Sequence, residues 1–220
     1  MPRQIFHSPA CKRALALTAA LLALGQGVDY RQQIKIPPDE IFSGMLRFAE
    51  EKNFTALQTA SQLLTPLYQV VKKDFGVDLA ASLESGIGTR DGPKTKQTVQ
   101  QIIFYDLKAL FALALAESDR PRSLTYLKTA FFDYSLLAPE IQKKNFTQDQ
   151  LLRKLFQKSF YLAGSNNPYS EEQLTVQRKE LEANLRQLED LILKTLPQLN
   201  PAPATVSKSE GSELQGLSNK

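Results

Sequence analysis

The sequence predicts an all-α protein built as a single helical-bundle domain of about six helices. Three observations carry that expectation. Apolar residues recur at three- and four-residue steps, as in Ile41, Phe42, Met45, Phe48 and Ala49, the spacing that gathers them on one helix face. No segment shows the sustained β-branched alternation of a strand. Two capping-box patterns, Thr147-Gln148-Asp149-Gln150 and Ser170-Glu171-Glu172-Gln173, place a hydroxyl and an amide three residues apart, as helix starts do.

The elements follow in chain order. Residues 1–27 hold Arg3, Lys12 and Arg13 and no acid, then the uncharged run Ala14–Leu24, then Gly25, Gln26 and Gly27. Charge, apolar stretch and small residues in that order are those of a secretory signal peptide. Cleavage near Gly25 or Gly27 and a periplasmic or secreted destination are therefore expected. A helix over the eleven residues of that run would rise about 17 Å, short of a bilayer core of about 30 Å.

Residues 28–38 read as an extended N-terminal segment, because Pro37 and Pro38 hold the residues before them out of the helical region. The helical bundle domain spans 39–197. Its first helix starts at Asp39 and breaks near Lys52. Asn53 caps a second that runs to about Asp74 with a kink at Pro66. Gly76, Gly86, Gly88, Gly92 and Pro93 make 76–93 the principal loop, with a short helical turn at Asp78–Leu83. Pro93–Glu117 is the most apolar helix and belongs at the centre. The next begins around Ser118–Pro121 and is ended or bent at Pro139. Helices at about 148–162 and 171–196 complete the bundle. Over 198–220 the composition turns to Pro, Ser, Ala and Gly with scattered charge, unable to build a core, so a disordered C-terminal tail is expected.

Ala49-Glu50 and Ala116-Glu117 are 67 residues apart, as are Leu57 and Leu124. Leu63-Leu64-Thr65-Pro66 and Leu136-Leu137-Ala138-Pro139 are each followed by Lys-Lys-x-Phe. The spacing is near twice the tetratricopeptide period of about 34. Chance recurrence of Leu, Ala and Lys in helical sequence accounts for it first, and duplicated TPR-like helical hairpins are the other reading.

The 220 residues carry 27 Lys and Arg against 23 Asp and Glu, a net charge of +4. Three of the basic residues, the single His and the single Cys all lie in 1–27, so the rest is nearly neutral and has no His or Cys. That excludes His- or Cys-based metal sites, thiol catalysis, disulfides and a His general base from the bundle, and it removes the electrostatic argument for nucleic acid. No later segment reads as a transmembrane span, and no cofactor is expected.

Two groups of residues are candidates for binding. Arg90, Lys94 and Lys96 cluster where Asp91-Gly92-Pro93 opens a helix, and a helix N-terminus favours an anion. The same stretch is no phosphate loop, since Pro93 stands where the second glycine should be. Asp106 and Asp133 fall near apolar stripes, each beside a tyrosine, Tyr105 and Tyr134. Antiparallel packing of their helices would let the carboxylates meet and form a small-ligand or metal-binding site. The Glu-x-x-His pairs of di-iron bundles are missing, so no metal is assigned. Lys143–Lys158 is locally basic and the last helix acidic, which suits two neighbouring helices. No nucleophile elbow or comparable catalytic motif is present, and an enzyme is not expected. The functional expectation is an exported helical-bundle protein acting by binding, an accessory or adaptor subunit with a protein partner in the cell envelope. The alternative is a small-ligand or metal-binding bundle using the inward carboxylates.

Overall fold

The structure is a computed structural model that describes residues 29–164 and 171–200. Among them are eight α-helices, two 3-10 turns and no strand. The helices are α1 (Pro38–Glu50), α2 (Phe54–Gln62), α3 (Thr65–Phe75), α4 (Leu79–Gly88), α5 (Gly92–Ala116), α6 (Arg120–Lys144), α7 (Phe146–Gly164) and α8 (Glu171–Thr195). The 3-10 turns are Tyr30–Gln33 and Pro197–Leu199. The expected signal peptide at 1–27, the tail beyond residue 200 and the capping residue Ser170 lie outside the described residues.

Short polar side chains set the helix starts. Asn53, Asp78 and Asp91 each accept a hydrogen bond from the backbone N–H three residues on, at 3.1, 3.1 and 3.0 Å, satisfying donors that the first turn leaves free. Pro66, Pro93 and Pro121 occupy first turns, where a missing N–H costs nothing. Gly76 closes α3 in the left-handed region at φ 69°.

α5 is the axle of the fold. It packs against α1, α3, α4, α6, α8 and the C-terminal 3-10 turn, while α6, α7 and α8 each pack on the next. By length and composition α5 could cross a membrane, yet 78% of its most apolar window is buried inside the protein. Val99, Ile102, Ile103, Phe104, Leu107, Leu110 and Phe111 fill the centre. The central position expected for this helix is the one it occupies.

Several elements differ from expectation, each for a local reason. The helix through Pro66 is two helices, because Pro66 sits in the first turn of α3 and the chain breaks at Leu63–Leu64. Pro139 neither ends nor interrupts α6. The supposed loop 76–93 contains a ten-residue helix, α4. Its Gly86 serves packing, since a Cβ there would come 2.9 Å from Thr95 Oγ1. Asn145, not Thr147, caps α7, its Oδ1 accepting from Gln148 N at 3.0 Å. The look-alike segments at Leu63–Pro66 and Leu136–Pro139 fall at a helix junction and inside a helix respectively.

Both ends of the bundle are more ordered than the composition suggested. The segment expected to be extended is described from residue 29, and it opens with the 3-10 turn at Tyr30–Gln33, where Tyr30 is buried. At the other end the core runs past 197, because Leu196 and Leu199 are fully buried. Gln97 and Gln101 donate from Nε2 to the Gln198 carbonyl at 3.1 and 2.8 Å.

Candidate functional site

Asp106 on α5 and Asp133 on α6 are both wholly buried, and the packing of these helices brings them to one point. Arg31 reaches that point from the N-terminal segment. Its Nη2 donates to Asp106 and to Asp133 Oδ2, the latter at 3.1 Å. The neighbouring Tyr30 hydroxyl donates to Asp106 Oδ1. Asp29 steadies the segment by accepting from Arg31 N at 3.0 Å, and Tyr126 on α6 donates to the other Asp29 oxygen at 3.3 Å. Two carboxylates, one guanidinium and one phenol thus form a socket filled by the chain's own arginine. Arg31 Nε is buried there without a hydrogen-bond partner.

The electrostatics follow from burial. Burial pushes the Asp133 carboxyl well above the usual range, the Asp106 charge adds to this, and Arg31 opposes it. Burial alone would lower the Arg31 guanidinium, but Asp106 and then Asp133 outweigh it and hold the group firmly charged. The Tyr30 hydroxyl is pushed well up by burial and by the Asp106 charge, so it stays a donor.

The two tyrosines expected beside these acids lie elsewhere. Tyr105 packs against Phe75 and Phe104 with ring centroids 5.5 and 5.7 Å apart. Lys108 Nζ stands 5.1, 5.8 and 5.5 Å over Phe75, Phe104 and Tyr105, and 3.5 Å from Glu189 on α8. Tyr134 donates its hydroxyl to Asp149 on α7. Asp149 also accepts from Gln142 Nε2 and Arg153 Nε, each at 2.9 Å. Burial pushes the Asp149 carboxyl up, but the Arg153, Tyr134 and Gln142 donors outweigh it and hold it below the usual range. Each tyrosine serves its own structural cluster.

Arg90, Lys94 and Lys96 all lie at or near the α4–α5 turn, and Lys96 is paired with acidic groups of the chain itself. Arg90 is an exposed turn residue with φ 52°. Lys94 Nζ lies 3.4 Å from Ser85 Oγ. Lys96 Nζ bridges Glu50 and Glu140 at 2.9 and 3.1 Å. The α5 N-terminus that would receive an anion already gives Lys94 N–H to the Asp91 carboxylate.

Among the described residues no group of three or more His, Cys, Asp or Glu side chains is placed to hold a metal ion. Open depressions among the described residues include two of note. One, of about 300 Å³ at the end of the bundle, is lined by Glu117, Arg120, Leu162 and Arg178 among others. The other is a groove of about 570 Å³ between α1 and α6, lined by Asp39, Glu40, Ser43, Gly44, Arg47, Phe132, Ser135 and Leu136. Phe132 is 60% exposed on its wall. Sequence reasoning missed this groove because one apolar residue off the inward stripe of a helix carries no signal by itself, and the groove exists only where α1 packs beside α6. Comparison with protein-family models, curated proteins and solved structures returned no match to the chain.

Proposed function

We propose that this is an exported helical-bundle protein, periplasmic or secreted, that acts by binding as an accessory or adaptor subunit of an envelope assembly. The surface it offers a protein partner is the α1–α6 groove. The observation that carries this reading is Phe132, a large aromatic ring held mostly in solvent beside Leu136 and opposite Gly44. Aromatic side chains that can bury in a partner are the usual anchors of interfaces. Asp39 and Glu40 at one end of the groove and Arg47 at the other give it charged ends around a middle of Phe132, Leu136, Gly44 and two serines. Pro139 has no N–H for the Ser135 carbonyl four residues back, so that groove-lining residue lacks its usual helical donor.

The polar interior supports the same choice. Asp106 and Asp133 are already engaged by Arg31, which stands where an external cation would have to enter. That disfavours the small-ligand or metal-binding reading. A photo-reactive residue introduced at Ser135 in the living cell tests the proposal. One discrete protein adduct is expected, lost when Phe132→Ser is added and not formed from Lys179 on the exposed face of α8. The same adducts from both positions, or none from Ser135, would overturn it.

A further inference from the structure

The arginine that completes the core is carried on a short strap at the N-terminal side of α1, whose Tyr30 is also buried in the core. The strap is the 3-10 turn Tyr30–Gln33 with the link Ile34–Pro37, and it joins the body at α1. Apart from the socket, Tyr126 donates to Asp29 just before the strap, the turn packs on α3, and Ile34 rests against the core. The link is exposed over Lys35, Ile36 and Pro37, and Ile36 keeps 41% of its surface in solvent. Ile36 and Pro37 each precede a proline, which biases both toward extended backbone and away from a tight turn. Pro37 itself has φ −50° and ψ 127°.

We propose that this strap exchanges between two copies of the chain, so that Arg31 of one copy fills the Asp106–Asp133 socket of the other and the reverse. The occupant is a second copy because the socket is shaped for this pair of side chains. A guanidinium meets two carboxylates while the adjacent phenol meets one of them. Every socket contact made within one copy is made again between copies, and only the link changes course. That is the condition under which swapping costs little. A link that favours extension leads the strap outward, and pairing of two bodies at the links covers the exposed Ile36. At low concentration the tether favours closure within one copy, since a short linker supplies an effective concentration of about millimolar. Exchange therefore belongs to high local concentration, as in an assembly holding several copies.

The test mixes two purified full-length variants. Arg31→Ala has an intact socket and no peg; Asp106→Asn/Asp133→Asn has an intact strap and no charged socket. A mixed dimer of twice the monomer mass, melting above either variant alone, is expected by native mass spectrometry and calorimetry. Its absence overturns the proposal when both variants fold. Deleting Lys35 and Ile36 settles the matter if either variant fails to fold, because it shortens reach by about 7 Å and leaves peg and socket intact. This deletion should give a dimer whose melting temperature rises with concentration. A monomeric deletion protein, or one unfolded at every concentration, overturns the proposal.

Discussion

Burial, the Asp106 charge and Arg31 together give Asp133 its own contribution to the pH dependence of stability. Its carboxyl is raised by burial and by Asp106 and restrained by Arg31, so the folded state favours the protonated form. The stability this group contributes is fully present below its ordinary pKa of about 4 and is lost as pH rises through the raised value. Asp133→Asn cannot ionise and keeps an oxygen for Arg31. Its melting temperature should therefore fall less than that of the unaltered protein between about pH 5 and about pH 8. Parallel profiles would show that Asp133 titrates like an exposed carboxyl. The inward placement of both acids was legible, because Asp106 lies three residues after Ile103 and Asp133 three after Ala130. Their tyrosine neighbours misled for a geometric reason. Consecutive residues are turned by about 100° around a helix and do not share a face. Arg31 was not legible at all, since it pairs across 75 and 102 residues and sits in a segment without periodicity.

At the scale of elements, proline and glycine were read by type when context decided their effect. Pro66 follows Leu63–Leu64, where α2 has ended, and becomes part of a helix start. Pro139 lies in a helix whose Leu137, Ala138 and Ile141 are held in the core, and packing keeps the helix going. Gly86 looked like loop punctuation, but it lets α4 and α5 approach across the turn that joins them. Gly86→Ala should cost about 1–3 kcal/mol through overpacking, because the new methyl meets Thr95 Oγ1 at 2.9 Å. Adding Thr95→Ala removes that oxygen, so the double variant should be more stable than the sum of the single effects by at least about 0.5 kcal/mol. Urea denaturation measures this, and simple additivity would mean that the helices part to admit the methyl.

For the whole molecule, the all-helical class and the central place of α5 could be read from periodicity alone. The edges could not, because each is fixed by long-range docking of a few residues. Leu199 lies in Pro-rich sequence that resembles tail, yet it is wholly buried and its turn is held by Gln97 and Gln101. Leu199→Ala should cost about 2–5 kcal/mol in urea denaturation, as a core leucine does. A change within about 0.5 kcal/mol would mark the turn as surface chain.

The strap also orders events in time. A chain made from its N-terminus presents Arg31 first, then Asp106 and only later Asp133. This arginine thus waits about a hundred residues of synthesis for its last counter-charge. Any pull that keeps residue 29 stretched away from the body leaves the Asp106–Asp133 pair without its arginine, a deficit of about 3–5 kcal/mol. The bundle stays short of its full stability while its leading end is held, and the lock closes on release.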